Sequence, residues 1–523
     1  MSGSWRLLSS HCAPEQGPLR PIDHLYRGLE RNAAAVAIAG PGQPLTYAEL
    51  VANADALAAA FQALDPAPGS RVGICARNTV EHLIAMLATY AAGKVWIPLN
   101  PTNGRAELDR MIAATSPTLL VADESCLDRF TPTGAPLVLG KASDSAPAPT
   151  VRSLIADWAG RRPGVVERGV EEAQIITFSG GSTGMPKPVV QPLRCVNAQV
   201  EGILACFGLE ASDVNLIAAP LTHGASCFVL PVLAVGGSHV LLEEPKPGNV
   251  LVTIEQYRVT TMYAPPTLIY GMVGEARASG QHRDAGQFAA LRHLIYSAAP
   301  MRADQIREAQ RVFGPVVETA YGQVEAPQIV TALRAVELER EENFASVGRP
   351  SPVATVGIMS PGAELLTRGE IGEIVVQGPL VMSGYLDQPD MTAATISDGW
   401  LHTGDLGLID ERGYVYIRGR LREVINSGGF KVFPGDVEAV LARHPAVAEC
   451  SVFGVEDEKW GEAVHAAVCL TPGALVAGSE LIAFVKGELG PVKAPKAIHF
   501  VTALPRNAAG KVSRNDVRRM VTA

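Results

Sequence analysis

Hydrophobic residues near the start of the chain recur with the spacing of a helix. Leu50, Leu57 and Phe61 fall on one face of a segment that begins at Thr46. Thr46 is followed three residues later by Glu49, which is the pattern of a capping box. The sequence therefore predicts an amphipathic helix over residues 46–64.

Short apolar runs alternate with helical patterns through the next part of the chain. Such alternation is typical of strands joined by crossover helices, which build largely parallel sheets. Helices are predicted over 79–92 and from Arg105. Strands are predicted at 71–76, 95–99, 118–122, 215–219, 260–263 and 293–297.

From Phe344 the pattern changes to strands that glycine and proline interrupt, which indicates a more antiparallel, barrel-like region. After Gly419 the pattern is that of a separate small unit that mixes helices and strands. We therefore predict an α/β fold. Residues 1–419 form a large N-terminal domain with two parallel α/β subdomains and a β-barrel-like subdomain, and residues 420–523 form a small α+β C-terminal domain.

Composition and net charge limit the classes of molecule that the protein is expected to bind. A chain of 523 residues with 47% hydrophobic and 19% charged residues has the composition of a folded protein of two or three domains. Its net charge of -9 gives no broad attraction to nucleic acid or to anionic lipid. The eight cysteines include no C-x-x-C pair, and no apolar run has the length of a membrane span. We expect reduced thiols, a cytoplasmic address, no membrane span, and a monomer or homodimer.

A string rich in glycine and hydroxyl groups follows an apolar strand near residue 176. Glycines let backbone amides approach an anion, hydroxyls add donors, and a lysine adds positive charge. The string is not a Walker loop, because its lysine and glycines have a different spacing. An ordinary surface turn is the alternative. The candidate phosphate-binding residues are Ser179, Gly180, Gly181, Ser182, Thr183, Gly184 and Lys187.

The string resembles the phosphate loop of the adenylate-forming superfamily, in particular its branch of acyl-CoA and aryl-CoA synthetases. Further segments resemble the motifs of that family and stand in the same order along the chain. They are Tyr321-Gly-Gln-Val-Glu325, Gly399-Trp-Leu-His-Thr-Gly-Asp405, Gly419-Arg-Leu-Arg-Glu423, Ser427-Gly-Gly-Phe-Lys-Val-Phe-Pro and Pro505-Arg-Asn-Ala-Ala-Gly-Lys511.

The resemblance implies the use of ATP, Mg²⁺ and CoA, and it implies a role for each matching residue. Lys511 bridges the carboxylate and the α-phosphate, and Glu325 is the carboxylate associated with magnesium. Tyr321 stacks on adenine, with Gly322 beside it in the same nucleotide-binding segment. Asp405 accepts from the ribose hydroxyls.

Other implied roles concern movement of the C-terminal domain. Arg420 donates to the ribose, although either Arg420 or Asp405 could instead be one half of a structural ion pair. Arg422 is the hinge about which the domain moves between two orientations. Gly428 and Gly429 border a tunnel for the CoA thiol, although glycine at a hairpin turn explains them equally well.

Two positions depart from the family pattern. Val324 stands where the family has threonine, so a hydroxyl contact to phosphate is lost or made by another group. Pro188 stands where the family has glycine, which removes an amide donor and restricts the backbone of Lys187.

The sequence predicts only the chemical class of the acid substrate. His223 resembles a histidine beside the acyl pocket, and the other candidate pocket residues are Tyr296, Ala298 and Ala299. The candidate segments offer neither a cation for a second carboxylate nor an aspartate for an ammonium group. An aromatic or medium-chain aliphatic monocarboxylic acid fits best.

Three functions are open at this point. The first is an acid:CoA ligase that forms an acyl-adenylate and then a thioester. The second is an adenylating enzyme that loads the pantetheine of a carrier protein. The third is a nucleotide-binding protein that keeps the fold without catalysis.

Overall fold

The computed structural model describes residues 19–40, 42, 44–143, 148–179, 186–281, 286–506 and 512–522. The helix predicted after Thr46 begins at the local sequence signal that predicted it. The Thr46 hydroxyl accepts from the Glu49 amide at 3.2 Å, and the Thr46 amide donates to the Glu49 carboxylate at 2.8 Å. The predicted capping box is confirmed, and the helix begins at the next residue.

The first part of the chain alternates helices and strands. In order, it forms α1 (Asp23–Arg31), β1 (Val36–Ala39), β2 (Leu45–Thr46), α2 (Tyr47–Leu64), β3 (Arg71–Cys75), α3 (Val80–Ala91), β4 (Val95–Pro98), α4 (Arg105–Thr115), β5 (Leu119–Ala122), β6 (Leu137–Leu139), α5 (Val151–Asp157), β7 (Ala173–Ser179) and β8 (Lys187–Pro192).

The second part repeats that alternation. It forms α6 (Leu193–Phe207), β9 (Val214–Ile217), α7 (Val229–Val235), β10 (Ser238–Leu241), α8 (Pro247–Gln256), β11 (Thr261–Ala264), α9 (Pro266–Ser279), β12 (His293–Tyr296), α10 (Ala303–Phe313), β13 (Val317–Tyr321), β14 (Thr331–Leu333), α11 (Ala335–Leu338) and β15 (Arg349–Pro350).

The remaining elements are mainly strands, followed by a mixed unit. They are β16 (Thr355–Met359), β17 (Gly372–Gln377), β18 (Gly384–Tyr385), α12 (Pro389–Thr395), β19 (Ile396–Ser397), β20 (Trp400–Ile409), β21 (Val415–Arg420), β22 (Ile425–Ser427), β23 (Phe430–Val432), α13 (Pro434–Leu441), β24 (Val447–Asp457), β25 (Gly461–Leu470), α14 (Gly478–Lys493), β26 (Ala497–Phe500) and α15 (Arg514–Thr522).

Two largely parallel sheets form the body of the molecule. The first sheet has the order β18-β8-β7-β4-β3-β5-β6, with β3 to β7 parallel and β8 and β18 antiparallel at one edge. The second has the order β15-β14-β13-β12-β11-β9-β10-β1-β2, and its central strands are parallel. An apolar core that includes Phe61, Trp96, Phe207 and Phe228 joins the helices to the sheets.

Two smaller sheets follow. The third sheet has the order β16-β17-β20-β19, with β21 paired to β20, and it is antiparallel as predicted. The fourth sheet has the order β23-β22-β25-β24, with β26 parallel to β25. The predicted α/β fold is confirmed. No helix in the described ranges is long and apolar enough to cross a membrane.

Candidate active site

A cavity of about 890 Å³ opens where strands of both parallel sheets end. Ligands of α/β proteins bind at the carboxyl ends of parallel strands, because the loops that follow the strands meet there. The cavity wall includes residues at or just after the ends of β4, β7, β9, β11, β12 and β13, namely Pro98, Ser179, Ala219, Pro265, Ser297 and Gly322.

Asp405, predicted to bind ribose, lies at the centre of a closed hydrogen-bond network. Its Oδ1 is 2.7 Å from Nε of Arg420, the residue opposite it on β21. Its Oδ2 accepts from the Tyr321 hydroxyl at 2.7 Å and from Nε2 of Gln323 at 2.6 Å. The structural ion pair left open by the sequence is therefore present in this structure, and the ribose contact stays a prediction.

Burial fixes the protonation of this network. The Tyr321 ring is 8% exposed, and burial together with the charge of Asp405 raises the pKa of its hydroxyl well above the usual value. The hydroxyl therefore stays protonated and donates to the carboxylate. Stacking of Tyr321 on adenine stays a prediction, as does a contact from Gly322, which is on the cavity wall.

Glu325, the predicted magnesium-associated carboxylate, faces the same cavity. Its Oε1 accepts from the Tyr385 hydroxyl at 3.0 Å, and no donor within the described residues reaches its second oxygen. Lys187 Nζ lies 5.4 Å from the centre of the Tyr385 ring, within the range of a cation–π contact. Tyr385 thus positions both predicted residues, a role that the sequence alone did not indicate.

The candidate phosphate loop is described only at its ends. Ser179 ends β7 and Lys187 begins the antiparallel β8, and both side chains line the cavity. Gly180, Gly181, Ser182, Thr183 and Gly184 lie outside the described residues.

The two positions that depart from the family pattern are also described. Pro188 pairs with Phe178 in the β7–β8 ladder, and its carbonyl accepts from Leu386. Val324 lines the cavity, and its carbonyl accepts from Gln191 Nε2 at 2.8 Å. Neither residue disrupts the strand or the loop that carries it.

The residues on either side of the predicted hinge hold different parts of the molecule. Arg420 ends β21 and pairs with Asp405 in the third sheet. Three residues later, Glu423 pairs with Arg514 of α15, which also bonds Glu438 of α13. Arg422 lies between these attachments and lines the cavity.

The catalytic role of Lys511 and the thiol tunnel at Gly428 and Gly429 both stay predictions. Lys511 lies outside the described residues. Gly428 and Gly429 form the two-residue turn between β22 and β23, with φ of 59° and 84°. Such a turn requires positive φ at both positions, so the hairpin itself accounts for the glycines. Neither glycine is part of the cavity wall described, and the tunnel stays a prediction.

His223 and Ala298 lie on the cavity wall, as predicted for the acyl pocket. The His223 side chain is exposed to the cavity, and desolvation by the protein packed around the cavity lowers its pKa below 6.5. Its Nδ1 is 3.0 Å from the Thr222 hydroxyl. Ala298 has φ of 72°, which is rare for a residue other than glycine, and Ala299 follows it, partly buried and outside the cavity wall.

The prediction for Tyr296 is wrong. Successive side chains of a strand point to opposite faces of its sheet, and Tyr296 lies opposite Ala264 on β11. Both point to the core beneath α8, α9 and α10, away from the cavity. Ser297, the next residue, faces the cavity instead.

Two further wall residues were not predicted. Tyr263 of β11 lines the cavity, and its ring stacks on Phe228 with centroids 5.6 Å apart. Gln199 of α6 lines it too, and its Nε2 lies 3.2 Å from the Cys227 sulfur. Neither residue belongs to one of the motifs, so no local signal marked them.

Comparisons with known proteins agree with this architecture. The model of the AMP-binding enzyme family matches residues 25–386, and that of the AMP-binding enzyme C-terminal domain matches residues 436–511. Feruloyl-CoA synthase of Amycolatopsis sp is 34% identical over 94% of this chain and 97% of that protein. A medium/long-chain-fatty-acid–CoA ligase of Mycobacterium tuberculosis is 33% identical over 91% of this chain and 85% of that protein.

A solved structure gives the same result. ATP-bound MatB from Rhodopseudomonas palustris superposes with a TM-score of 0.85 at 28% identity, over 96% of this chain and 99% of that one. The resemblance to the adenylate-forming superfamily is thereby confirmed. The chain belongs to the AMP-binding enzyme family.

Proposed function

We propose that the chain is an ATP- and Mg²⁺-dependent carboxylic acid:CoA ligase. It activates a monocarboxylic acid as an acyl-adenylate, releases pyrophosphate, and transfers the acyl group to the thiol of CoA. The observation that carries this proposal is that Arg420, Glu325 and His223, predicted for the nucleotide, the metal and the acid, line one cavity. The named activities of the two relatives, a CoA synthase and a CoA ligase, support it.

The order of the two steps follows from leaving groups. An oxide is too poor a leaving group for a thiol to displace, so the carboxylate must first become a mixed anhydride. Its formation brings an anionic carboxylate against an anionic triphosphate, and donors must stabilise the charge that builds on the α-phosphate. Lys511 and the glycine-rich loop are the proposed donors of this chain.

The proposed Mg²⁺ contact fits the donors present. No group of three or more metal-ligating side chains occurs within the ranges described. Mg²⁺ in nucleotide sites commonly takes one or two protein carboxylates together with phosphates and waters. Glu325, held through one oxygen by Tyr385, offers its other oxygen. When bound with ATP, the ion neutralises charge on the phosphates.

A moving C-terminal domain would let one cavity serve both steps. We propose that the domain begins at Arg422, because the chain before it is attached to the third sheet and the chain after it to α15. In one orientation Lys511 reaches the nucleotide, and in the other the Gly428–Gly429 turn borders the path of the thiol. The cytoplasmic address and the monomeric or dimeric state stay predictions.

The test is pyrophosphate release over a panel of aromatic and aliphatic acids, with ATP and with or without CoA. We expect release that depends on acid and ATP, and one acyl-CoA formed per pyrophosphate when CoA is present. Release with thioester formed only on a carrier protein would favour the carrier-loading alternative. ATP binding without release for any acid would favour the non-catalytic alternative.

The two-orientation proposal has its own test in Lys511→Ala. We expect this variant to lose at least about 100-fold in adenylation, because charge on the α-phosphate is no longer offset. It should still convert supplied acyl-adenylate to thioester at close to the wild-type rate. Lys486→Ala, at an exposed position of α14, is the matched control and should change neither step. Equal loss of both steps in Lys511→Ala would contradict the proposal.

A further inference from the structure

Three amides in the cavity wall, those of Asn100, Asn103 and Gln328, each have a buried polar atom without a hydrogen-bond partner within the described residues. Of the three, Gln328 is the one whose side chain lies beside the Tyr263 hydroxyl. Gln328 is 8% exposed and lines the cavity, and no donor among the described residues reaches its Oε1. Leaving a buried polar atom unpaired is unfavourable, because the atom loses its hydrogen bond to water and gains none in return. Native proteins pair nearly all such atoms, so an unpaired one in a ligand cavity indicates a group that the ligand supplies.

The surroundings of this amide are polar but neutral. The side chains of Gln328 and Ser297 lie beside the Tyr263 hydroxyl and partly offset the effect of burial on its pKa. That burial raises the pKa of Tyr263 to about 12, so the phenol stays protonated at neutral pH. The other group that affects this pKa is the Cys227 thiol, and burial keeps that thiol protonated as well.

The Tyr263 hydroxyl is held in place by close packing. The Tyr263 ring stacks on the buried Phe228. A Cβ added at Gly224 would lie 2.6 Å from the hydroxyl, so this part of the wall is already filled. The position of the polar group formed by Tyr263, Ser297 and Gln328 is therefore fixed before a ligand binds.

The chemistry of this polar group selects among ligand groups. A second carboxylate or an ammonium group would be desolvated here without an opposite charge, which is costly. A purely hydrocarbon body would leave the Gln328 oxygen unpaired. A hydroxyl can donate to Oε1 and, if the amide turns over, can accept from Nε2.

We propose that Gln328 determines specificity by binding a neutral hydroxyl on the body of the acid, so that the preferred substrates are hydroxylated monocarboxylic acids. This inference rests on the proposed ligase function and deepens it. Phenolic and aliphatic hydroxyls share the required chemistry. Matched acids of both kinds therefore separate the two sources.

The experiment compares hydroxylated acids with their parents. The aromatic set is cinnamate with its 3-hydroxy and 4-hydroxy derivatives, and the aliphatic set is decanoate with 10-hydroxydecanoate and 3-hydroxydecanoate. We expect kcat/KM for the best hydroxylated acid of one set to exceed that of its parent roughly 10- to 100-fold, which corresponds to one buried hydrogen bond. If the parent acid in both sets had a kcat/KM as high as that of every hydroxylated acid, the inference would be overturned.

Substitutions test whether the Gln328 amide causes the preference for a hydroxylated acid. Gln328→Leu, of similar size, should remove the hydroxyl preference by lowering kcat/KM for the hydroxylated acid while the parent acid is used as well or better. Tyr263→Phe keeps the ring and should reduce the preference without removing it. Gln199→Leu is the matched control, because that amide already contacts the Cys227 sulfur, and it should keep the preference whatever its effect on the rate. An unchanged preference in Gln328→Leu would overturn the assignment.

A binding measurement keeps this inference distinct from the ligase proposal. The rise in melting temperature with each acid is measured without ATP, for wild type and Gln328→Leu. A larger rise with the hydroxylated acid, lost in Gln328→Leu, supports the hydroxyl site even where no pyrophosphate is released. Equal rises for hydroxylated and parent acids would overturn the inference even where both acids are activated.

Discussion

The two ends of the cavity differ in how their polar groups are satisfied. At the nucleotide end, both oxygens of Asp405 are already occupied by Arg420, Tyr321 and Gln323. At the acyl end, Gln328 has a buried oxygen with no partner in the described part of the chain. A site whose polar groups satisfy one another is rigid before the ligand arrives, whereas a site with one group unsatisfied depends on the ligand to complete it. The difference supports the proposals that ATP binds at the nucleotide end and that selection among acids takes place at the acyl end.

The largest expected effect comes from breaking the network at the nucleotide end. Asp405→Ala removes the acceptor that Arg420, Tyr321 and Gln323 share, and of these three donors Tyr321 is buried, so we expect a loss of about 1–3 kcal/mol in the free energy of unfolding. We also expect a fall of about 100-fold in kcat/KM for ATP, because both proposed ribose contacts need the carboxylate. Urea denaturation and kinetics with varied ATP measure the two effects.

An exposed ion pair provides the control for this variant. Glu341 pairs with Arg307, and its side chain is 64% exposed, so Glu341→Ala should lower the stability far less than Asp405→Ala does. Tyr321→Phe removes one donor from the network, and its loss of stability should be intermediate between those of Asp405→Ala and Glu341→Ala. ATP kinetics unchanged by Asp405→Ala would remove this residue from the proposed ribose site.

A smaller effect is expected from filling space at the acyl end. Gly224→Ala places a methyl group 2.6 Å from the Tyr263 hydroxyl, and the stacked Phe228 prevents the ring from moving away. We expect a loss of about 1–3 kcal/mol in stability and a fall of roughly tenfold in kcat/KM for cinnamate-sized acids. Propanoate, if it is used at all, should be affected less.

Gly274→Ala is the matched control for this change. Gly274 lies in α9, and a Cβ there meets no atom within 4 Å. Because alanine favours helix over glycine, the control should be neutral or slightly stabilising. If both variants behaved alike in thermal unfolding and in acid kinetics, close packing around Tyr263 would not limit the acyl end.

The sequence alone predicted features that depend on local pattern better than it predicted the residues that line the cavity. The capping box at Thr46 depends on local spacing and is present in the structure. For Asp405 and Arg420 the sequence left open an ion pair without naming the partner, and the structure pairs the two with each other. Tyr296 was assigned wrongly because the pattern of a buried strand does not reveal which face meets the cavity. Tyr263 could not be found, because its place in the wall depends on the pairing of strands distant in sequence.

The smallest expected effect concerns the proton of His223. Burial lowers its pKa below 6.5, so the folded protein holds this histidine neutral where the unfolded chain begins to protonate it. The unfolded state then binds more protons, and the contribution of His223 to stability falls as the pH drops below about 6.5. An NMR titration, with His223→Gln to assign the signal, should give a pKa below 6.5. A pKa at or above 6.5 would contradict desolvation of the ring by the protein around it.

The central claim is that one cavity unites an acid with the nucleotide that activates it. It is tested most directly by incubating the protein with a hydroxylated acid and MgATP without CoA and analysing the bound material by mass spectrometry. The account predicts about one acyl-adenylate per active site, which is converted to acyl-CoA when CoA is added. An acid that binds together with ATP but never yields an adenylate, across the whole panel, would contradict it.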